Sequence, residues 1–205
     1  LLVELDGPQS EVEHQVGQLE ELLERAGASE IRRAQTEAER LALWAGRKAA
    51  FPAMGRVSPD YYCMDGTIPR GKLPLVLGRI GELAQTYGLR VANVFHAGDG
   101  NLHPLVLYDS NIEGDLEKAE ELGADILRLC VEVGGVLSGE HGVGIEKREL
   151  MPCMFKDADL DAQERIKTEF DQNQILNPGK VFPILRNCAE GGAMHVHEGE
   201  ERFPD

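Results

Sequence analysis

The residues best suited to chemistry stand in two short stretches. His96-Ala97-Gly98-Asp99-Gly100-Asn101-Leu102-His103 sets two imidazoles around an Asp-Gly step, and Ser138-Gly139-Glu140-His141-Gly142-Val143-Gly144 sets a carboxylate beside another imidazole among glycines. Asp-Gly between apolar runs is a strong hairpin signal, because a type I′ turn needs positive φ at both centres. With Asp99 and Gly100 as the turn, or with a four-residue loop at 98–101, His96 is expected directly opposite His103, their Cβ atoms about 4.5–5.5 Å apart. Imidazoles so placed can close on one divalent ion at about 2.0–2.1 Å per bond. Equally, two histidines flanking a turn can hydrogen-bond to backbone or water. Glu140 becomes a third ligand if the glycines bend the chain, since on a regular strand Glu140 and His141 would face opposite ways. Two His and one Glu leave open positions on Zn²⁺, Mn²⁺ or Fe²⁺, the layout of a catalytic rather than a structural site. Asp99 reads as a turn residue.

Several elements must position these groups. Residues 1–6 and 30–35 read as strands. Ser10 to Glu13 has capping-box spacing, and Val12, Val16, Leu19, Leu22, Leu23 and Ala26 keep one helical face up to Gly27. Thr36 to Glu39 repeats the capping signature before a helix reaching about Phe51. A strand is expected over 61–68, a helix from Leu73 to Tyr87 stopped by Gly88, and strands over 89–96 and 102–108. Leu116 to Val133 carries a third long helix stopped by Gly134, and 159–171 a further one before the Asn177-Pro178-Gly179 turn. Hairpins mixed with helices give an α+β class, with a ferredoxin-like, largely antiparallel sheet and helices packed on one face. Residues 1–184 are expected to form one domain, with 185–205 an acidic, disordered tail. His195 and His197 in that tail carry no site.

Composition narrows the function classes. The 205 residues carry a formal charge of −15, with 42% hydrophobic and 28% charged residues. Such a charge opposes nucleic acid and anionic membrane surfaces. A small anionic substrate stays compatible, because a local arginine outweighs a distant field beyond roughly 8–10 Å of screening. No apolar run approaches about 18 residues. The four cysteines form no C-x-x-C pair, so neither a zinc ribbon nor a disulfide framework is indicated. The chain opens on Leu1 without a visible signal peptide, and we expect a piece cut from a longer polypeptide. The expected location is the cytoplasm, with peripheral membrane association through partner subunits left open.

In combination and order, His96 to His103, Gly139 to Gly144 and Leu176-Asn177-Pro178-Gly179-Lys180-Val181 resemble the C-terminal domain of FAD-linked oxidases, with glycolate oxidase flavoprotein subunits and D-lactate and D-2-hydroxyglutarate dehydrogenases among its members. Trp44 to Lys48 and Ser58 to Asp65 fit the same pattern, so the resemblance covers roughly residues 1 to 184. It implies an FAD-binding N-terminal domain absent from this chain, with the present domain capping the flavin and carrying the substrate pocket. The resemblance assigns His96, His103 and Glu140 as metal ligands and His141 as catalytic base. It assigns Arg47 to the substrate carboxylate, and Asn177 and Lys180 to the side facing the flavin domain. Taken alone, Arg47 on its helix would be an ordinary surface charge, and His141 a loop-capping residue. Phe51, Cys63 and Leu105 replace polar or charged residues of the hydroxyglutarate branch, which favours a smaller acid such as glycolate or D-lactate.

The expected function is a flavin-dependent 2-hydroxy-acid dehydrogenase or oxidase, inactive as this chain alone because no flavin-binding half is present. Its expected partners are an anionic 2-hydroxy acid, the FAD-binding domain and electron-accepting subunits. A metal-dependent hydrolase using the same two His and Glu, or a non-catalytic interaction domain, are the competing classes.

Overall fold

The computed structural model describes residues 1–184; the acidic segment 185–205, with His195 and His197, lies outside the described residues. The chain divides into two compact units, the first Leu1–Val57 and the second beginning at Ser58. Among the described residues no helix is long and apolar enough to cross a membrane.

The first unit is helical. Helix α1 (Gln9–Arg25) starts behind Pro8 without a side-chain cap, so the capping box expected at Ser10 and Glu13 does not form. Proline supplies the entry instead, since its fixed φ suits a helix start and its missing N–H removes one orphan donor. Helix α2 (Glu37–Lys48) has the expected box: Glu39 N donates to Thr36 Oγ1 and Thr36 N to Glu39 Oε2, each at 3.3 Å. A short helix α3 (Ala50–Met54) follows. Residues 1–6 and 30–35 form no ladder, against expectation. The first stretch is instead pinned through Glu4, which accepts from Trp44 Nε1 at 2.6 Å and from Arg40 Nη1 at 2.9 Å.

The second unit is α+β. Its sheet contains β1 (Asp60–Cys63), β2 (Gly66–Thr67), β3 (Arg90–His96) and β4 (Asn101–Tyr108), all paired antiparallel to β4. One edge of β4 carries β3 and the other carries β1 and β2, which keep a single register: Cys63 faces Leu105 and Gly66 faces Leu102. They are therefore one expected strand with a gap opposite Pro104. Beyond the β2 edge, Thr67 bridges Val136.

Side chains alternate along β4, so Leu102 and Val106 share one face. On that face they cluster with Val76 and Ile80 of helix α4 (Leu73–Tyr87) and with Leu122, Ile126 and Leu129 of helix α5 (Asp115–Glu132). A second cluster gathers Met64, Leu127 and Leu137 with Met151 of helix α6 (Met151–Met154) and Leu160 of helix α7 (Asp157–Phe170). Asn101, His103, Leu105 and Leu107 belong to the other face of β4.

The β3–β4 connection differs from the two-residue turn. The loop spans four residues, 97–100, with Gly100 N and Asp99 N both donating to His96 O, at 2.9 and 3.1 Å. His96 lies opposite Asn101, and Val94 opposite His103, two residues from the expected register. Gly100 alone of the loop has positive φ (+74°), and a Cβ there would meet Ile68 O at 2.1 Å. Both conditions demand glycine. Gly100→Ala should therefore cost roughly 2–4 kcal/mol in denaturant unfolding, whereas Gly98→Ala, with open space around it, should cost less than about 1 kcal/mol. Equal effects at the two positions would refute this account of the turn.

Candidate metal and acid–base centre

His96 and His103 remain on one face, because a two-residue register shift preserves alternation. They are diagonal rather than directly opposed, with ring centroids 5.4 Å apart. Both present Nε2 to Glu140 Oε1, His96 at 3.7 Å and His103 at 3.9 Å. The three ligand atoms lie within 4.8 Å of one another. His103 is buried, its side chain 5% exposed, while His96 and Glu140 open to solvent at 44% and 55%.

The local sequence fixes which nitrogen of His103 faces the cluster. Pro104 lies opposite Met64 in the central strand, where Met64 N donates to Pro104 O at 3.1 Å. The return bond cannot form, because proline has no N–H. The Met64 carbonyl is met instead by His103 Nδ1 at 3.3 Å. A carbonyl only accepts, so Nδ1 carries the proton and Nε2 keeps its lone pair toward Glu140. Orienting a ligating imidazole through its other nitrogen is the usual support of a metal-binding histidine. Asn101, also buried, donates through Nδ2 to Glu140 Oε1 at 2.8 Å and approaches His103 Nε2 at 3.4 Å.

Glu140 and His141 reach this cluster because their loop wraps around a buried anion. Asp65, wholly buried on the face of His103, accepts Ser138 Oγ and His141 N at 2.7 Å, Glu140 N at 3.1 Å, and Lys147 Nζ at 3.1 Å. Successive amides converging on one carboxylate turn the backbone away from a strand, so two neighbouring side chains point into one space. His141 stacks on His103, ring centroids 5.3 Å apart and planes 26° from parallel. The loop also presses close: a Cβ on Gly139 would lie 2.5 Å from Thr67 Oγ1 and 2.6 Å from Asn101 Oδ1. Burial alone would raise the Asp65 pKa. The hydrogen bonds from Ser138, the two amides and Lys147 outweigh it and hold the carboxyl far below the usual carboxylate range.

Asp65, His103 and His141 also converge as a possible ligand set. The lone pairs of Asp65 are already committed to four donor groups, one of them a buried ammonium, so this set is the poorer cation site. The donor chemistry favours His96, His103 and Glu140.

Asp65 and Lys147 escaped the sequence reading. The available signal was a carboxylate directly after the apolar run Tyr62-Cys63-Met64, where a buried charge demands partners. Asn177 and Lys180 bond each other at 3.0 Å. Their segment is tied to the stretch after the site loop, with Val181 N donating to Gly144 O at 2.8 Å and Arg148 to Gly179 O. Arg47 stands in the last turn of α2, in the first unit. Cys63 faces Leu105 across the ladder. Burial, then the Asp65 charge, pushes its thiol up to about 11, so it is neutral.

The chain belongs to the family described as FAD linked oxidases, C-terminal domain, whose model matches residues 1–181. It is 57% identical over 205 residues to the glycolate oxidase subunit GlcD of Escherichia coli (strain K12), covering 100% of this chain and 41% of that protein. Identity is 36% over 182 residues to the Bacillus subtilis (strain 168) subunit of the same name, covering 89% and 39%. It is 32% over 183 residues to a D-lactate dehydrogenase of Anaerostipes hadrus, covering 88% and 38%. The chain thus spans about two fifths of the length of these curated relatives.

Burial, the largest influence, lowers the His103 pKa; the Met64 carbonyl and the Glu140 and Asp65 charges only partly restore it. The unfolded chain then takes up the proton first. Its stabilising contribution is whole above about pH 6.5 and is lost as pH falls through the lower folded value. The stability advantage of wild type over His103→Asn should shrink as pH falls below about 6.5, read by thermal unfolding. Nitrogen-detected NMR of the metal-free protein should find the His103 proton on Nδ1; a proton on Nε2 would contradict the proline-directed tautomer.

Proposed function

We propose that this chain is the substrate- and metal-binding part of a flavin-dependent 2-hydroxy-acid dehydrogenase or oxidase of the glycolate or D-lactate type. The observation that carries the reading is the convergence of two Nε2 atoms on one Glu140 oxygen, at 3.7 and 3.9 Å, with His141 alongside. The names of the relatives, glycolate oxidase subunit and D-lactate dehydrogenase, supply the substrate class.

His96, His103 and Glu140 would hold a divalent ion such as Zn²⁺, Mn²⁺ or Fe²⁺. When bound, such an ion lowers the pKa of a hydroxyl, and FAD, held mainly outside this chain, supplies the electron chemistry. The exposed pair Asn177 and Lys180 would offer an amide and an ammonium to the flavin side. His141, framed by glycines, takes the proton of the substrate's 2-hydroxyl through a ring nitrogen. Arg47 pairs bidentately with the substrate carboxylate and sets its orientation. Leu105, buried, and the neutral Cys63 give no charge to a second carboxylate on their side. That favours a short acid over a dicarboxylate.

In this reading the second unit, from Ser58, follows a ferredoxin-like plan and serves substrate capping. Its support is the order strand, helix α4, hairpin, helix α5 and the bridge at Val136, with β1 and β2 taken as one strand. Electron-accepting partners complete the same reading.

Elemental analysis of the full-length protein should find about one equivalent of Zn, Mn or Fe. Glu140→Ala and His96→Ala should weaken metal affinity by at least about 100-fold, given that even supporting residues are worth 10–100-fold. His141→Ala should retain the metal and lose roughly 10²–10⁴ in kcat on glycolate or D-lactate. Wild-type turnover in that variant would remove His141 from the proton-transfer role, and a metal-free wild type would remove the ligand assignment.

A further inference from the structure

We propose that Asp65 is the positioning residue of the centre, an internal anion around which the Glu140–His141 segment is moulded, and that Lys147 neutralises it. The inference rests on the metal reading above only for one of its readouts. Asp65 is 0% and Lys147 3% exposed, so this pair is shut from water. Asp65 acts through the backbone: the amides of Glu140 and His141 both end on its carboxylate, at 3.1 and 2.7 Å.

Ser138 closes the device. Its hydroxyl donates to Asp65 at 2.7 Å while its oxygen accepts Gly142 N at 2.7 Å and Lys147 Nζ at 3.1 Å. Both ends of the Glu140–His141 turn are thereby bound to one charge centre. The centre is fixed from the sheet side too, because Gly139 N donates to the Asp65 carbonyl at 3.0 Å. A neutral residue of the same shape cannot replace the carboxylate. An asparagine amide would turn an NH₂ toward a ring of donors and leave at least one buried donor unpaired.

The test uses the full-length protein with Asp65→Asn and with Asp65→Asn/Lys147→Met. The single variant leaves an uncompensated buried ammonium and is expected to unfold at lower temperature. The double variant removes both charges and should recover part of that loss, the asparagine amide still facing unpaired donors. Amide hydrogen exchange at Glu140 and His141 should accelerate in both variants, and Zn²⁺ affinity should stay about 10–100-fold below wild type in both. Recovery of Zn²⁺ affinity together with stability in the double variant would reduce Asp65 to a folding role and overturn the proposal. Unchanged exchange at Glu140 and His141 in Asp65→Asn overturns it whatever the metal does. A wild-type protein that binds no Zn²⁺, yet protects these amides only when Asp65 is present, defeats the metal reading and supports the positioning role.

Discussion

Every ladder among the described strands runs through β4, and a proline stands in its middle. A central strand has donors required on both edges, so Pro104 must cost one hydrogen bond of the sheet. The loss falls on Met64 O, and the side chain of the preceding residue on β4 makes it good. That substitution splits the neighbouring strand into β1 and β2 and frees Asp65 from regular pairing. It also commits His103 to one tautomer. A local defect in the sheet thus creates both the oriented imidazole and the gap in which the buried carboxylate sits.

Burying that carboxylate without partners would cost far more than a domain can spare. The donors come from a segment more than seventy residues away in sequence, at Ser138, Glu140, His141 and Lys147. Folding the second unit and assembling the candidate site are therefore one event. The loop cannot leave without stranding an anion, and the anion cannot be satisfied without shaping the loop. The glycines make the approach feasible: at Gly139 the backbone passes where any side chain would overlap Thr67 and Asn101.

The sequence made the local features readable and left the long-range ones hidden. Helix α4 with its Gly88 stop, helix α5, the Thr36 box and the two strands of the hairpin follow from periodicity and capping, which act over a few residues. The register missed by two, because the four-residue loop lies at 97–100, one residue earlier than the expected centre at Asp99-Gly100. Since side chains alternate with period two, the histidines still share a face despite the wrong pairing. The strands expected over 1–6 and 30–35 failed differently. A short apolar stretch such as Leu1-Leu2-Val3 names no partner strand, and residues 30–35 carry a single β-branched side chain, Ile31. Asp65 was within reach only as an anomaly, a charge among apolar neighbours, and nothing in its surroundings points to Lys147.

The uneven burial of the three prospective ligands follows from how each is supported. His103 is held by the sheet on either side and by the Met64 carbonyl, with its side chain 5% exposed, so it has little freedom to move. His96 ends β3 beside an open loop, and Glu140 projects from a loop whose backbone is fixed but whose side chain is 55% exposed. Any contraction of the 3.7 and 3.9 Å separations therefore falls to the two exposed side chains. Rotating an exposed carboxylate against a rigid anchor is cheap, whereas shifting a buried ring in a packed sheet is not. In the proposed metal site, one rigid, tautomer-fixed ligand with two adjustable ones would let a cation enter from the solvent side without disturbing the fold that orients it.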